Sequence, residues 1–449
     1  LCAALDDAPL VMTSGNPSHE PIAYEESDAR ARVVPLADRT LTHNRAIFLR
    51  CDDSVVRVAN GARSTLRRAR GLSPRHTPLG RALERPLLAL GAHDNVTFAL
   101  GRGDHAIVSH HLGDLSNAAS LREYRAAIAH YESLFCVEPK LLVHDLHPDY
   151  ATTEIAREIA AERGLPLCRV QHHHAHIASS MVEHSLEGSV LGVAWDGTGY
   201  GEDGSVWGGE FLLCSRASAR RVAHLRVVAM PGGERAIREP WRMALAQLRD
   251  AELGFESLSS RIDAKAARTL TRMLDRDLNC PRTSSAGRLF DAVSALCGVV
   301  LESSYEGQAA IELEWQASRD VNPDHTIYAF ELCQPDPDGP LCVDTRPLVR
   351  GVVEELARGG NVPTVARRFH LTLAHIIGSV CAKLRARFAL DRVVFGGGVF
   401  ANALLLEAAS ARLEAEKFQV FWPQTYPAGD GGLSLGQLAV AAARDHGES

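Results

Sequence analysis

A strand, a polar turn carrying glycine and a second strand occur twice in this chain of 449 residues. That repeat limits the fold more than any other feature. The first copy runs from Leu87–Leu90 through Gly91 to Val96–Leu100, and the second from Leu191–Ala194 through a turn at Asp196–Gly204 to Val206–Cys214. Short apolar runs bounded by glycine and polar residues read as buried strands. Around them strands alternate with helices: Leu141–His144 as strand, Thr153–Glu162 as helix, Leu167–Val170 as strand, and later Arg392–Phe395 as strand before a helix over Ala401–Leu413. Such alternation builds an α/β architecture, and the repeat predicts two related lobes over residues 86–449.

Residues 1–76 form a separate unit, joined to the lobes by a Pro/Gly-containing linker over 77–85. In it Leu10–Thr13 reads as a strand ending in the turn Ser14-Gly15-Asn16-Pro17, and Val55–Val58 and Thr65–Arg70 read as alternating strands. Ser14 and Asn16 with Arg68 and Arg70 offer the small polar and cationic groups that hold a phosphate or an acyl-adenylate.

Between the two repeats stands His172-His173-His174-Ala175-His176. On a helix His172 and His176 project from one face a turn apart, the spacing at which two imidazoles hold one divalent ion. No Glu follows the first His, so a zincin-type protease lacks its general base. Asp196, at the end of an apolar run, opens the glycine-rich stretch Gly197-Thr198-Gly199, and a carboxylate beside a phosphate-cradling loop predicts a metal holding a nucleotide's phosphates. Asp430, in Pro427-Ala428-Gly429-Asp430-Gly431-Gly432 before the terminal helix, is either a helix cap or a further ligand. Gly396-Gly397-Gly398, with Asn402 just beyond, lies between a strand and a helix. There glycine lets backbone approach a ligand and the helix start attracts anions, although a plain tight turn fits the same pattern. In Ser284–Asp291 the choice for Asp291 is between a nucleotide contact and pairing with Arg288. Arg238 and Arg242 supply two cations for a carboxylate or phosphate, or merely a solvated helix start.

A net charge of −7 without a Lys/Arg block argues against a dedicated nucleic-acid binder. No apolar run reaches membrane-spanning length. Ten cysteines are scattered without a Cys-x-x-Cys pair, the pattern of reduced thiols in a cytoplasmic protein.

Taken together, the motifs resemble a family. Met12–Pro17, His43-Asn44-Arg45, Asp52–Arg57 and Arg68–Gly71 resemble the C-terminal part of a YrdC-like domain. The chain from residue 86 onward is similar to the actin-like (ASKHA) domain of tRNA threonylcarbamoyl transferases and antibiotic O-carbamoyltransferases. The fusion of the two, with His144–Tyr150, Gln171–His176 and Tyr305–Gln308, resembles the HypF-type carbamoyltransferases of hydrogenase maturation.

The resemblance implies a reaction in which carbamoyl phosphate and ATP form a carbamoyl-adenylate, whose carbamoyl group passes to the C-terminal cysteine of the partner protein HypE. It implies one divalent ion on His172, His176, Asp196 and Asp430, with Fe, Zn or Mn suited to mixed N/O ligation and Mg as the companion of the nucleotide. Gly197, Thr198, Gly199, Gly396, Gly397, Gly398, Asn402 and Asp291 are then expected at ATP, and Arg238 and Arg242 at carbamoyl or phosphate groups. Acylphosphatase-like and zinc-finger segments, with the fingers' zinc, are expected ahead of residue 1. A homodimer is left open. Members carry a Lys-Asn pair where this chain has Asn95-Val96, which removes one cation. Against a tRNA threonylcarbamoyl transferase stand the acidic charge and the His173-His174 pair, where those enzymes carry Glu in the second position. A non-catalytic metal- and nucleotide-binding maturation scaffold is the third reading.

Overall fold

Buried apolar strands dictate the frame. Leu87–Ala89 and Leu141–Asp145 are buried at every position, as strands must be when elements cover both faces of a sheet. The computed structural model describes residues 2–6, 8–17, 22–321 and 326–447. Within it the first sheet runs, in spatial order, His76–Pro78, His105–Val108, Ala99–Arg102, Leu87–Ala89, Leu141–Asp145, Leu167–Val170. The main path of the second runs Glu331–Cys333, Leu341–Asp344, Ala219–Leu225, Val206–Cys214, Val190–Tyr200, Arg392–Gly396, Gln419–Phe421.

The same five-strand pattern sits inside both sheets. Three consecutive strands form an antiparallel meander, and two later strands add in parallel beside the first of the three. The lobes are therefore related, and the fold is α/β with a YrdC-like unit ahead of a two-lobed domain.

Three elements differ from the sequence reading. Asp196–Tyr200 continues the strand Val190–Tyr200, and the turn falls at Gly201–Gly204, where Gly201 N donates to Ser205 O at 2.9 Å. The expected linker opens on an edge strand, His76–Pro78, paired antiparallel with His105–Val108. Leu10–Thr13 is not a strand: Val11 and Met12 stand exposed, with no ladder partner among the described residues. The hairpin Val55–Ala59/Ala62–Arg67 does form. It docks on the second lobe, Arg57 pairing with Glu314 at 2.9 Å and Thr65 N donating to Gln424 O at 3.0 Å.

Two helices exchange lobes. His172–Glu183 completes the first lobe in sequence, yet its Ile177 and Met181 pack with Val190, Leu212 and Val394 of the second. Leu433–Asp445 completes the second lobe and packs with Leu87, Ala89 and Val143 of the first. Where the two helices cross, a Cβ on Gly436 would lie 1.7 Å from Ala175 O, so only glycine permits the approach. This crossing brings the start of the histidine helix and the turn before the terminal helix together between the lobes. Among the described residues no helix is long and apolar enough to cross a membrane.

Candidate metal and nucleotide site

Gln171 caps the histidine helix, its side chain accepting from His174 N at 2.9 Å. The capped helix presents His172 and His176 on one face, both buried. Asp196 arrives from a distortion of its strand. The ladder passes from Gly199–Trp207 to Trp195–Gly209, so Asp196, Gly197 and Thr198 stand opposite Gly208 alone. Bulges of this kind re-aim a side chain. Gly199 is needed for contact with the helix, because a Cβ there would lie 2.4 Å from His173 Cε1 and 2.8 Å from His172 Cδ2. Asp430 enters from the turn before the terminal helix.

These four predicted ligands converge. One atom from each of His172, His176, Asp196 and Asp430 falls within a set spanning no more than 4.8 Å. The two Nε2 atoms face each other at 3.1 Å, His176 Nε2 lies 2.8 Å from Asp196 Oδ2, and Asp430 Oδ1 lies 3.4 and 3.5 Å from the two imidazoles. Asp196 Oδ1 accepts from Gly197 N and Gly398 N at 2.7 and 3.1 Å. Its Oδ2 is buried and has no aligned hydrogen bond despite its closeness to His176. Two imidazoles and two carboxylates turned inward on one point suit a single divalent ion.

Asp145 completes the arrangement, and no role was expected for it. Fully buried, it places Oδ2 2.8 Å from His172 Nδ1 and accepts from His147 N on Oδ1 at 2.8 Å. A carboxylate behind a ligating histidine fixes the proton on Nδ1 and leaves Nε2 as the donor atom. Its only signal was its place in His144-Asp145-Leu146-His147. Burial opposes the imidazolium of His172, but Asp145 and Asp430 together hold it well above its ordinary value. Burial likewise opposes the Asp196 carboxylate, which His176 and His172 keep well below the usual range.

Around this centre lies an acidic rim. Burial, with Asp430, Asp94 and Asp114 nearby, pushes Glu306 up to about 7. Burial and Asp114 push Asp94 up to about 6. Asn95, at the position of the expected lysine, spans the cleft by donating Nδ2 to Glu306 Oε2 at 2.8 Å.

The predicted nucleotide residues divide. Gly197 and Thr198 are partly exposed beside Asp196. Gly397 has φ +98°, and a Cβ there would lie 2.2 Å from Trp195 O, while Gly396 packs on His176. Gly397 is thus required by the fold whatever the loop binds. A Cβ on Gly398 would lie 3.1 Å from Asp196 Oδ1 and 3.9 Å from Gly429 Cα.

Asn402 is turned to structure. Its Oδ1 accepts from Leu405 N and its Nδ2 donates to His370 Nε2, both at 2.9 Å. Asp291 sits buried with Oδ2 2.7 Å from Arg288 Nε, close but without an aligned hydrogen bond. Arg242 is buried against Glu239 and Trp241, and Arg238 is exposed. In the N-terminal unit Arg68 is only 2% exposed, its guanidinium 4.8 Å from the ring centroid of Tyr426. Arg70 is exposed, donating to Cys51 O at 3.0 Å, and Ser14 is exposed, while Asn16 donates to Pro17 O at 2.9 Å. Arg68 therefore lies in the junction between units rather than on an open ligand surface.

Three family profiles match along the chain. Residues 1–69 match a Sua5/YciO/YrdC family described as telomere recombination, and residues 82–183 match the HypF Kae1-like domain. Residues 192–437, more than half of the chain, match the second subdomain of the carbamoyltransferase Kae1-like domain. The chain belongs to the HypF carbamoyltransferase family.

Carbamoyltransferase HypF2 of Cupriavidus necator is 40% identical over 97% of this chain and 56% of its own length. A HypF homolog from the same organism is 38% identical over 80% of this chain and 91% of its own length. A crystal structure of full-length HypF in the phosphate- and nucleotide-bound form superposes with a TM-score of 0.90 at 37% identity, covering 96% of this chain and 66% of that one. The chain spans about half the length of the first curated relatives it matches, 56% and 57%.

Proposed function

We propose that this chain carries the transfer half of an ATP-dependent carbamoyltransferase. In this reading carbamoyl phosphate, ATP and water give carbamoyl-adenylate with release of phosphate and pyrophosphate, and the carbamoyl group passes to the C-terminal cysteine thiol of a HypE-type maturation protein. The observation that carries the reading is the convergence of His172, His176, Asp196 and Asp430 between two related lobes, in a chain of this family. A bound divalent ion would supply positive charge to the phosphate oxygens on which charge develops as AMP leaves. Asp145 orients His172, and the bulged strand and the Gly396–Gly398 loop aim Asp196 at the same point. Gly197, Thr198 and Gly398 leave space beside that point for phosphates, while the Gly197 and Gly398 N–H groups hold Asp196 in place. In the transfer, the acceptor sulfur forms a bond to the carbamoyl carbon, the bond from that carbon to the AMP oxygen breaks, and AMP departs. No nucleophile of this chain is consumed, because the acceptor brings its own thiol.

The test begins with metal. Purified chain should hold close to one divalent ion by elemental analysis, and His172→Ala/His176→Ala should lose most of it. Unchanged content in that double variant rejects the ligand set. With metal present, transfer from pre-made carbamoyl-adenylate to HypE should be followed by mass spectrometry of the acceptor. A second reading, a maturation scaffold that binds metal and nucleotide without turnover, draws on Asn95, which bonds Glu306 where relatives are expected to place a cation. ATP binding with no acceptor modification would favour it.

A further inference from the structure

The histidine helix carries two of the four converging side chains near its start, and its last residue bonds the segment that leads to a third. Glu183 is seven residues beyond His176 and eleven beyond His172, so all three share a helix face. Its half-buried carboxylate reaches the segment that leads into Asp430. Oε1 accepts from Gln424 N at 3.1 Å and Thr425 N at 2.6 Å, and Oε2 accepts from Gln424 N at 3.3 Å and Tyr426 N at 3.4 Å. The adjoining strand has ended at Phe421, and among the described residues these three N–H groups have no ladder partner. Charged acceptors make the stronger hydrogen bonds, and here one carboxylate serves three consecutive donors. His184 adds a bond from its Nε2 to Trp422 O at 2.8 Å.

The other side of the segment is held by the YrdC-like unit and by the edge strand that follows it. Thr65 donates to Gln424 O through N at 3.0 Å and Oγ1 at 2.7 Å, Thr77 Oγ1 bonds the Tyr426 hydroxyl, and Arg68 covers the Tyr426 ring. Gln424–Tyr426 is therefore clamped, and Asp430 follows four residues later.

We propose that Glu183 is a positioning residue for Asp430, tying that ligand to the helix that bears His172 and His176 and so setting the width of the metal centre. This rests on the metal reading above. The same clamp makes the YrdC-like unit the outer jaw on a ligand of the other domain.

The experiment is a titration of the full metal-free chain with Co2+ alone, read by visible d–d absorption, with thermal melting as the fold control. Glu183→Ala should weaken Co2+ binding roughly tenfold, the scale at which outer partners tune metal sites, and alter the absorption band as Asp430→Ala does. Glu183→Gln, which keeps one acceptor oxygen, should recover part of the loss. In Glu183→Ala/Asp430→Ala the affinity should match Asp430→Ala alone, because the ligand through which Glu183 acts is gone. Unchanged affinity in Glu183→Ala overturns the proposal, as does a full tenfold cost persisting without Asp430. If Glu183→Ala fails to melt cooperatively, Glu183→Gln in the two backgrounds reads the same coupling. Failure of the unmodified chain to bind Co2+ overturns the metal reading and this proposal together, whereas the other outcomes leave that reading standing.

Discussion

Asn402 and His370 form a closed pair at the residue scale. The amide caps the helix Ala403–Ala415 and donates to a fully buried imidazole whose Nδ1 bonds Ala366 O at 2.7 Å. Asn402→Ala removes a cap and strands a buried acceptor, so stability should fall by about 1–3 kcal/mol while ATP affinity by calorimetry stays within a few-fold. A large loss of ATP affinity at unchanged melting temperature would return Asn402 to the nucleotide. Burial holds His370 down at about 4, with Arg367 adding to the depression and Glu314 opposing it. Its folded value is below its unfolded value, so its contribution is whole above pH ~6.5 and is lost as pH falls toward 4. At pH 5 that loss is about 2 kcal/mol. His370→Gln should show a shallower fall in melting temperature from pH 7.5 to 5 than the unmodified chain, and parallel curves would reject the assignment. The clustering of His172, His176, Asp196 and Asp430 was legible in the sequence because the residue types able to ligate a metal are few and stood at a helical spacing and beside glycine turns. Asn402 was not, since a cap and a ligand contact look alike in one dimension. Asp145 meets His172 27 residues away along the chain, which no local pattern records.

At the scale of elements, helix propensity and packing conflict at Gly436. Alanine favours a helix interior over glycine by about 1 kcal/mol, yet a Cβ here would strike Ala175 O. Packing decides, and Gly436→Ala should destabilise by roughly 1–3 kcal/mol or more, seen in chemical denaturation as a lower midpoint. A neutral or stabilising outcome would mean that the two helices do not cross so closely. The crossing exchanges the lobes' last helices, and no periodicity within either helix announces it. The strand Val190–Tyr200 shows a related limit. Asp196-Gly197-Thr198-Gly199 has the composition of a turn, but tertiary pairing across a bulge keeps it in the sheet. The strand–turn–strand repeat, by contrast, was legible, because buried strands declare themselves as apolar runs, whereas the third strands His105–Val108 and Ala219–Leu225 and the outer strand Gln419–Phe421 were not read.

On the scale of the whole molecule, the two lobes and the N-terminal unit differ in how completely they enclose their polar residues. The converging histidines and carboxylates lie between lobes with buried cores, whereas Ser14 is exposed and Val11, Met12 and Phe48 stand open to solvent in the YrdC-like unit. An acyl-adenylate must be shielded from water while it forms, and its formation depends on holding the reactants in line. This chain should therefore bind ATP within a few-fold of a full-length relative such as the Cupriavidus necator HypF2. Its release of pyrophosphate from ATP with carbamoyl phosphate should be at least about 100-fold slower, the scale at which lost positioning is felt. Transfer from pre-made carbamoyl-adenylate should fall far less. Side-by-side assays of the two proteins at equal metal loading decide the matter. Equal pyrophosphate release would place adenylate formation within the two lobes rather than in the YrdC-like unit.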